Sequence, residues 1–386
     1  MSATRPAVLD APGAPIYLDC NGTTPVDPRV ADAMAPLMLE GFGNPSSGHV
    51  FGRRARAAVD HARAAVAALL GCAPDEILLT SGGSESNNHA LKGACWAARD
   101  RGRHVVTTAV EHPAVLEPLR WLERDGWETT VVGVDADGRV DPAAVAAALR
   151  PDTVLVSVML ANNEVGTLQP VAEIAGLAQA RGVLVHCDAA QAVGKIPVDV
   201  EDLGVDLLSV AGHKVYAPKG VGALYVRRGT PLENLVHGAG QEGGRRAGTE
   251  NVILAAGLGR AAELAREDVA AEGPRLAALR DRLAGVLRAA VPDLVVHGHP
   301  TQRLPNTLSA AFPGRLAASL QAACPGLACS AGAACHDVGA KPSAVLTAMG
   351  VAPEIAAGTL RLSLGRFTRA DEVEAAGRML GEASSR

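Results

Sequence analysis

Aromatic residues are scarce: Phe, Trp and Tyr together make up 3% of the 386 residues, so a core must be built from aliphatic side chains. No apolar run approaches the roughly twenty residues of a bilayer-spanning helix, and stretches such as TVLVSVMLA are far too short. The amino-terminal MSATRPAVLDAPGAP lacks both an apolar segment and a small-residue cleavage site, so no secretory leader is expected. The seven cysteines are odd in number and include no Cys-x-x-Cys pair, which argues for reduced thiols in a cytoplasmic protein and against a disulfide framework. A surplus of positive charge is missing too. The formal net charge is −5 and the pI near 6.1, which disfavours a nucleic-acid binder relying on a dominant basic field. The arginines of FGRRARAAVDHAR read as the solvated face of a helix. There is no GxxxxGK[ST], so a nucleotide P-loop is not indicated.

What is present has the balance of an ordinary globular protein, with 48% hydrophobic and 20% charged residues. Short β-branched runs alternate with alanine-rich helical stretches between about residues 75 and 227. The expected strands are 76–80, 104–108, 129–134, 153–160, 182–187, 206–210 and 222–226. That alternation predicts an α/β domain with a mostly parallel seven-stranded sheet covered on both faces. Past residue 260 a long helical stretch leads into pieces such as LVVHG and NTLSAAF, which predicts a smaller α+β domain. The expected division is a large domain over 16–260 and a small one over 261–386 together with 1–15.

Ligands of open α/β sheets sit beyond the carboxyl ends of the strands, so the residues just past each run carry the functional information. SGGSESNNHALKGA after the first strand is a Gly- and Ser-rich turn opening a helix, either an anion cup or a plain capped turn. His112 follows 104–108 and Asn162, Asn163 and Glu164 follow 153–160, where structural turn residues are equally expected. Asp188 ends an apolar strand, where a carboxylate is costly without a partner. Lys214 occupies the same place one unit later, as half of an ion pair or as an amine prepared for Schiff-base chemistry. Together these residues have a specific meaning. Pyridoxal 5'-phosphate needs a lysine, an acid against its ring nitrogen, a phosphate cup and a flat group over the ring. Lys214, Asp188, the Ser84 turn and His112 supply them in that order. GLGRAA at 257–262 imitates a dinucleotide fingerprint, but its neighbours continue a helical period, so nicotinamide binding is not expected.

The chain resembles the cysteine desulfurases and selenocysteine lyases, class V aminotransferase-like pyridoxal phosphate enzymes. The resemblance runs nearly end to end, through YLDCNGTTPVDPRV, GFGNPSSGHVFGR, LTSGGSESNN, VEHPAVL, MLANNEVGTLQPV, VHCDAAQAVGK, the GHK segment, GRRAGTENV, QRLPNTLS, SAGAACH and LRLSLGRFT. GAACH, QRLPNT and GTEN draw it toward the selenocysteine lyase branch. The resemblance implies the aspartate aminotransferase-like fold, with Lys214 bearing the cofactor, Asp188 on the pyridine nitrogen and His112 stacked on the ring. Gln191 would hydrogen-bond the phenolic oxygen. Gly83, Ser84 and His213 would hold the phosphate, joined by Thr249 from the partner of a homodimer. Asn163, also at the cofactor, and Arg361 would bind the substrate carboxylate. Cys335, on a loop of the small domain, would be the nucleophile that takes sulfur from L-cysteine, or selenium from L-selenocysteine, releasing alanine. Its cargo would pass to an acceptor, such as a sulfur-acceptor protein. Three positions depart from the common pattern: Ala211 in place of a phosphate-binding Ser, Cys20 in place of Tyr, and Pro113 in place of Lys. The last two are expected near the substrate pocket.

Two other readings compete. Another class V reaction on the same fold would give a keto acid or sulfite. A metal or cluster site on Cys324, Cys329 and Cys335 has four and five intervening residues, which fits no common ligand spacing. No metal, nucleic acid or membrane partner is expected.

Overall fold

The computed structural model describes residues 5–331 and 343–385. Strand β1 (Ile16–Tyr17) and helices α1 (Pro28–Glu40) and α2 (Val50–Leu70) precede the central sheet. That sheet comprises β2 (Ile77–Thr80), β3 (His104–Thr108), β4 (Glu128–Val132), β5 (Thr153–Ser157), β6 (Leu184–Asp188), β7 (Leu207–Ala211) and β8 (Gly222–Val226). Their spatial order is β2-β8-β7-β6-β5-β3-β4. Strand β8 runs antiparallel to both neighbours, and every other pairing is parallel.

All residues of β3, β5, β7 and β8 are buried, as expected for a sheet covered on both faces. Alternate side chains enter different cores: Val106, Leu208 and Tyr225 on one face, Val105, Leu207 and Leu224 on the other. The covering helices include α3 (Gly83–Ala98), α4 (Pro113–Glu123), α5 (Pro142–Ala148), α6 (Val171–Gln179) and the short α7 (Val200–Leu203). Three of these begin on side-chain caps: His112, Asp141 and Asp199 each accept a backbone N–H of the first turn.

Helix α8 (Val252–Ala290) runs continuously through residues 260 and 261. Its first half packs into the core beneath the central sheet, while Leu276, Leu283 and Leu287 enter a second core. That second core lies against β9 (Val295–His297), β10 (Thr307–Ala311), β12 (Ser330–Ala331) and β13 (Thr359–Ser363), an antiparallel sheet in the order β12-β13-β10-β9. Between them in sequence, β11 (Leu327–Ala328) pairs in parallel with β1, and Leu18 is buried in the same second core.

The strand expectations hold in number and place but not at every end. The 153–160 run leaves regular strand at Ser157, because β3 ends at Thr108 and offers no further ladder on that side. Val158 and Leu160 still donate to His186 and Asp188 of β6, and the Met159 amide turns to the Glu111 carboxyl instead. The GLGRAA segment is interior helix. A side chain at Gly259 would meet the Ala62 backbone at 2.6 Å, so this glycine permits the close crossing of α8 on α2.

Candidate active site

The carboxyl ends of β3, β5, β6 and β7, with the start of α3, wall a cavity of ≈ 760 Å³. His112, Asn163, Asp188, Gln191, His213, Lys214 and Arg361 all line it, as do Gly83 and Ser84. Residues as far apart in sequence as 83 and 361 thus meet in one place.

Asp188 is the last residue of β6 and is 6% exposed. Its Oδ2 accepts from Asn87 Nδ2 at 2.7 Å and its Oδ1 from the Ala190 amide at 2.9 Å, which orient the carboxylate. Lys214 follows β7 in a single 3₁₀ turn. Its Nζ donates to the Gly22 carbonyl at 2.6 Å and also to the Asn21 carbonyl. Among the described residues no carboxylate bonds to it. Burial is the largest influence on the amine and, with Arg361, draws its pKa down to about 8 against the opposing pull of Asp19 and Asp188.

His112 caps α4, with Nδ1 accepting from the Ala114 amide at 3.0 Å. That bond leaves Nε2 to carry the proton of the neutral ring. Desolvation by the enclosing walls pushes the imidazole below its ordinary value; Asp188 opposes this and Lys214 adds to it. His213 Nδ1 lies 3.1 Å from Thr23 Oγ1, and burial followed by the nearby lysines takes its pKa down to about 4. At the cup, Gly82 sits at φ 148, a region that favours glycine, and α3 begins at Gly83. A Cβ on Gly83 would come within 3.2 Å of the Ala211 methyl.

Arg361 is anchored before any substrate arrives. Its Nη2 donates to Asp19 Oδ1 at 2.8 Å and to Ser330 Oγ at 3.0 Å, and its Nη1 to the Asn163 carbonyl at 3.2 Å. Glu111, behind His112, receives Thr108 Oγ1 at 2.7 Å and the Met159 amide at 2.9 Å through one oxygen, while its other oxygen is buried without a partner among the described residues. Burial pushes this carboxyl up to about 8.

Thr249 is exposed and lies outside the main cavity, on a neighbouring one of ≈ 250 Å³ beside Arg246 and Glu250. Cys20 is buried and lines a separate small cavity with Tyr17, Tyr216 and Phe367; neither it nor Pro113 lines the main one, contrary to the expectation for those two positions. Burial pushes the Cys20 thiol up to about 12. Cys335 falls outside the described residues. Sequence reasoning missed Asn21, Asn87, Asp19, Glu111 and Lys195. Asn87 had a signal, since it stands one helical turn past the cup and faces the sheet end.

Comparison with known proteins identifies the family. The aminotransferase class-V family model matches residues 16–376. A cysteine desulfurase IscS from Anaeromyxobacter dehalogenans (strain 2CP-C) is 49% identical over 95% of this chain and 92% of its own. A cysteine desulfurase from Rattus norvegicus is 44% identical over 96% of this chain and 82% of its own. Among solved structures, a NifS-like protein superposes with a TM-score of 0.90 at 38% identity, covering 96% of this chain and 99% of its own. The chain belongs to the class-V aminotransferases and, within them, to the cysteine desulfurases. Its fold is that of the NifS-like pyridoxal phosphate enzymes.

Pyridoxal phosphate is the cofactor of this family, and the residues fit it. A side chain at Gly83 would crowd Ala211 at the start of α3, the N–H groups there suit a phosphate, and an oriented carboxylate and a lysine amine with a lowered pKa face the same cavity.

Proposed function

We propose that this protein desulfurates L-cysteine to L-alanine, with Cys335 taking the sulfur as a persulfide and passing it to an acceptor. The observation that carries this reading is the convergence of the Lys214 amine, the Asp188 carboxylate and the α3 start on one cavity. A further support is SspA, 34% identical over 92% of this chain with a TM-score of 0.80, which was solved in complex with cysteine.

Bound pyridoxal phosphate supplies the electron sink that allows bonds at the substrate α-carbon to be broken. Lys214 carries the cofactor and then moves the α-proton, a task suited to an amine whose pKa is drawn down to about 8. Asp188, oriented by Asn87 and the Ala190 amide, would face the pyridine nitrogen. His112 covers the ring, Gln191 reaches the phenolic oxygen, and Gly83, Ser84 and His213 hold the phosphate with Thr249 of a second subunit. Ala211 withholds one hydroxyl bond there, worth about 1 kcal/mol. Arg361 and Asn163 receive the substrate carboxylate, Arg361 in a position already fixed by Asp19 and Ser330. The Cys335 thiolate attacks the substrate sulfur; the S–S bond forms as the Cβ–S bond breaks, and the electron pair and a proton end on the carbon that becomes alanine's methyl.

The protein works as a cytoplasmic homodimer, each chain folding as a large cofactor domain and a small domain that carries Cys335. Incubating the purified protein with L-cysteine and with L-selenocysteine tests the reading. With an added reducing thiol to release the bound sulfur, equimolar alanine and sulfide from cysteine are expected; a keto acid or sulfite would point to another class V reaction, and faster selenide release would move the preference to selenocysteine.

A further inference from the structure

We propose that Lys195 is a positioning residue of this site: its buried amino group, donating to Gln191 and Asn21, sets which end of the Gln191 amide faces the cavity. The inference rests on the reading of Lys214 as the cofactor-bearing amine.

Lys195 is 7% exposed, and among the described residues no carboxylate pairs with it. A buried cation without an anion is costly unless its donors are well satisfied. Both partners it does have are carbonyl oxygens of cavity-lining residues: Gln191 Oε1 at 2.5 Å and Asn21 Oδ1 at 2.9 Å. An ammonium only donates, so the amide end facing Lys195 must be the oxygen. Gln191 Nε2 then donates to the Asn21 carbonyl at 2.9 Å, a group that only accepts. The flip is therefore fixed from both ends, and the remaining N–H is the group Gln191 offers to the cavity. That polarity suits an anionic oxygen on a bound ring and rejects a protonated one.

Asn21 also joins the two lysines. Its backbone oxygen accepts from Lys214 and its side-chain oxygen from Lys195, so two ammonium groups converge on one residue that is 1% exposed. Burial and Lys214 together drive Lys195 well below its ordinary value. The other charged and titratable groups around Lys214 are Arg361, of the same sign, Asp19 and Asp188, opposing it, and the imidazoles of His112 and His213. Against that background Lys195 is the cation held closest to the Gln191 end of the site.

The test strips the protein of pyridoxal phosphate and follows recapture by visible absorbance across pH in the wild type, Lys195→Met, Lys195→Gln and Lys195→Arg. Both neutral variants should bind the cofactor about tenfold more weakly, having lost a charged hydrogen bond to Gln191. Lys195→Arg, which keeps donors toward Gln191 and Asn21, should stay near the wild type. Neutral variants that fold and match the wild type in affinity overturn the inference and leave the proposed function standing. Should neither neutral variant fold, Lys195→Arg decides: capture at the wild-type affinity is expected, and a loss of about tenfold in the folded Lys195→Arg protein overturns the inference. A wild-type protein that captures no pyridoxal phosphate at any pH removes the functional reading and this inference with it.

Discussion

Asp188 and Lys214 are readable in the sequence because charge at the end of an apolar strand has few explanations. The residues that orient them are not readable, because their roles come from contacts made across the fold. Asn87 lies 101 positions from Asp188 and donates to it at 2.7 Å. Asn87→Ala should leave the carboxylate one charged hydrogen bond short, worth about 1.5–3 kcal/mol, and weaken pyridoxal phosphate binding at least tenfold in a direct titration. Glu111 was hidden for the same reason. In the folded protein its carboxyl holds its proton up to about pH 8, while in the unfolded chain the ordinary value is 4.5. Between those values the native state binds the extra proton, so stability falls as pH rises. Thermal melts of Glu111→Gln should show a flatter decline from pH 5 to 8 than the wild type; an identical slope would mean that Glu111 is ionised in the native state.

At the scale of elements, periodicity located every strand of the central sheet but misjudged where β5 stops. An apolar run does not record where its neighbour ends, and here the shorter β3 leaves the Met159 amide to Glu111. The same limit applies to GLGRAA, whose glycines imitate a nucleotide motif while serving helix packing. The two glycines should respond differently. At Gly259 an added methyl meets the Ala62 backbone at 2.6 Å, whereas at Gly257 it meets the flexible end of Met34 at 2.6 Å. Gly259→Ala is expected to cost about 1–3 kcal/mol by denaturant unfolding, and Gly257→Ala clearly less. Equal costs would indicate that α2 and α8 can slide apart freely.

Across the whole molecule, the sequence change near residue 260 reflects a real change of surroundings, yet α8 passes through it and ties both cores together. The site depends on that tie. Asn21 links Lys214 and Gln191 to Ser363 and Thr307 of the second sheet, and Arg361 of β13 reaches Asn163 beyond the end of β5. No local pattern could announce such a junction, since its parts come from both ends of the chain. Only the resemblance to a known family supplied Arg361, Thr249 and Cys335 beforehand.

The central claim is that sulfur moves from L-cysteine to Cys335 at a site built on Lys214. Mass analysis of the Cys335 peptide after one turnover, with alanine measured alongside, tests it most directly. The account predicts one added sulfur atom on that peptide and one alanine per active site, both lost in Lys214→Ala, and alanine without a persulfide at most in Cys335→Ser. Alanine and sulfide formed at the wild-type rate by Cys335→Ser, or sulfur found on another cysteine, would contradict it.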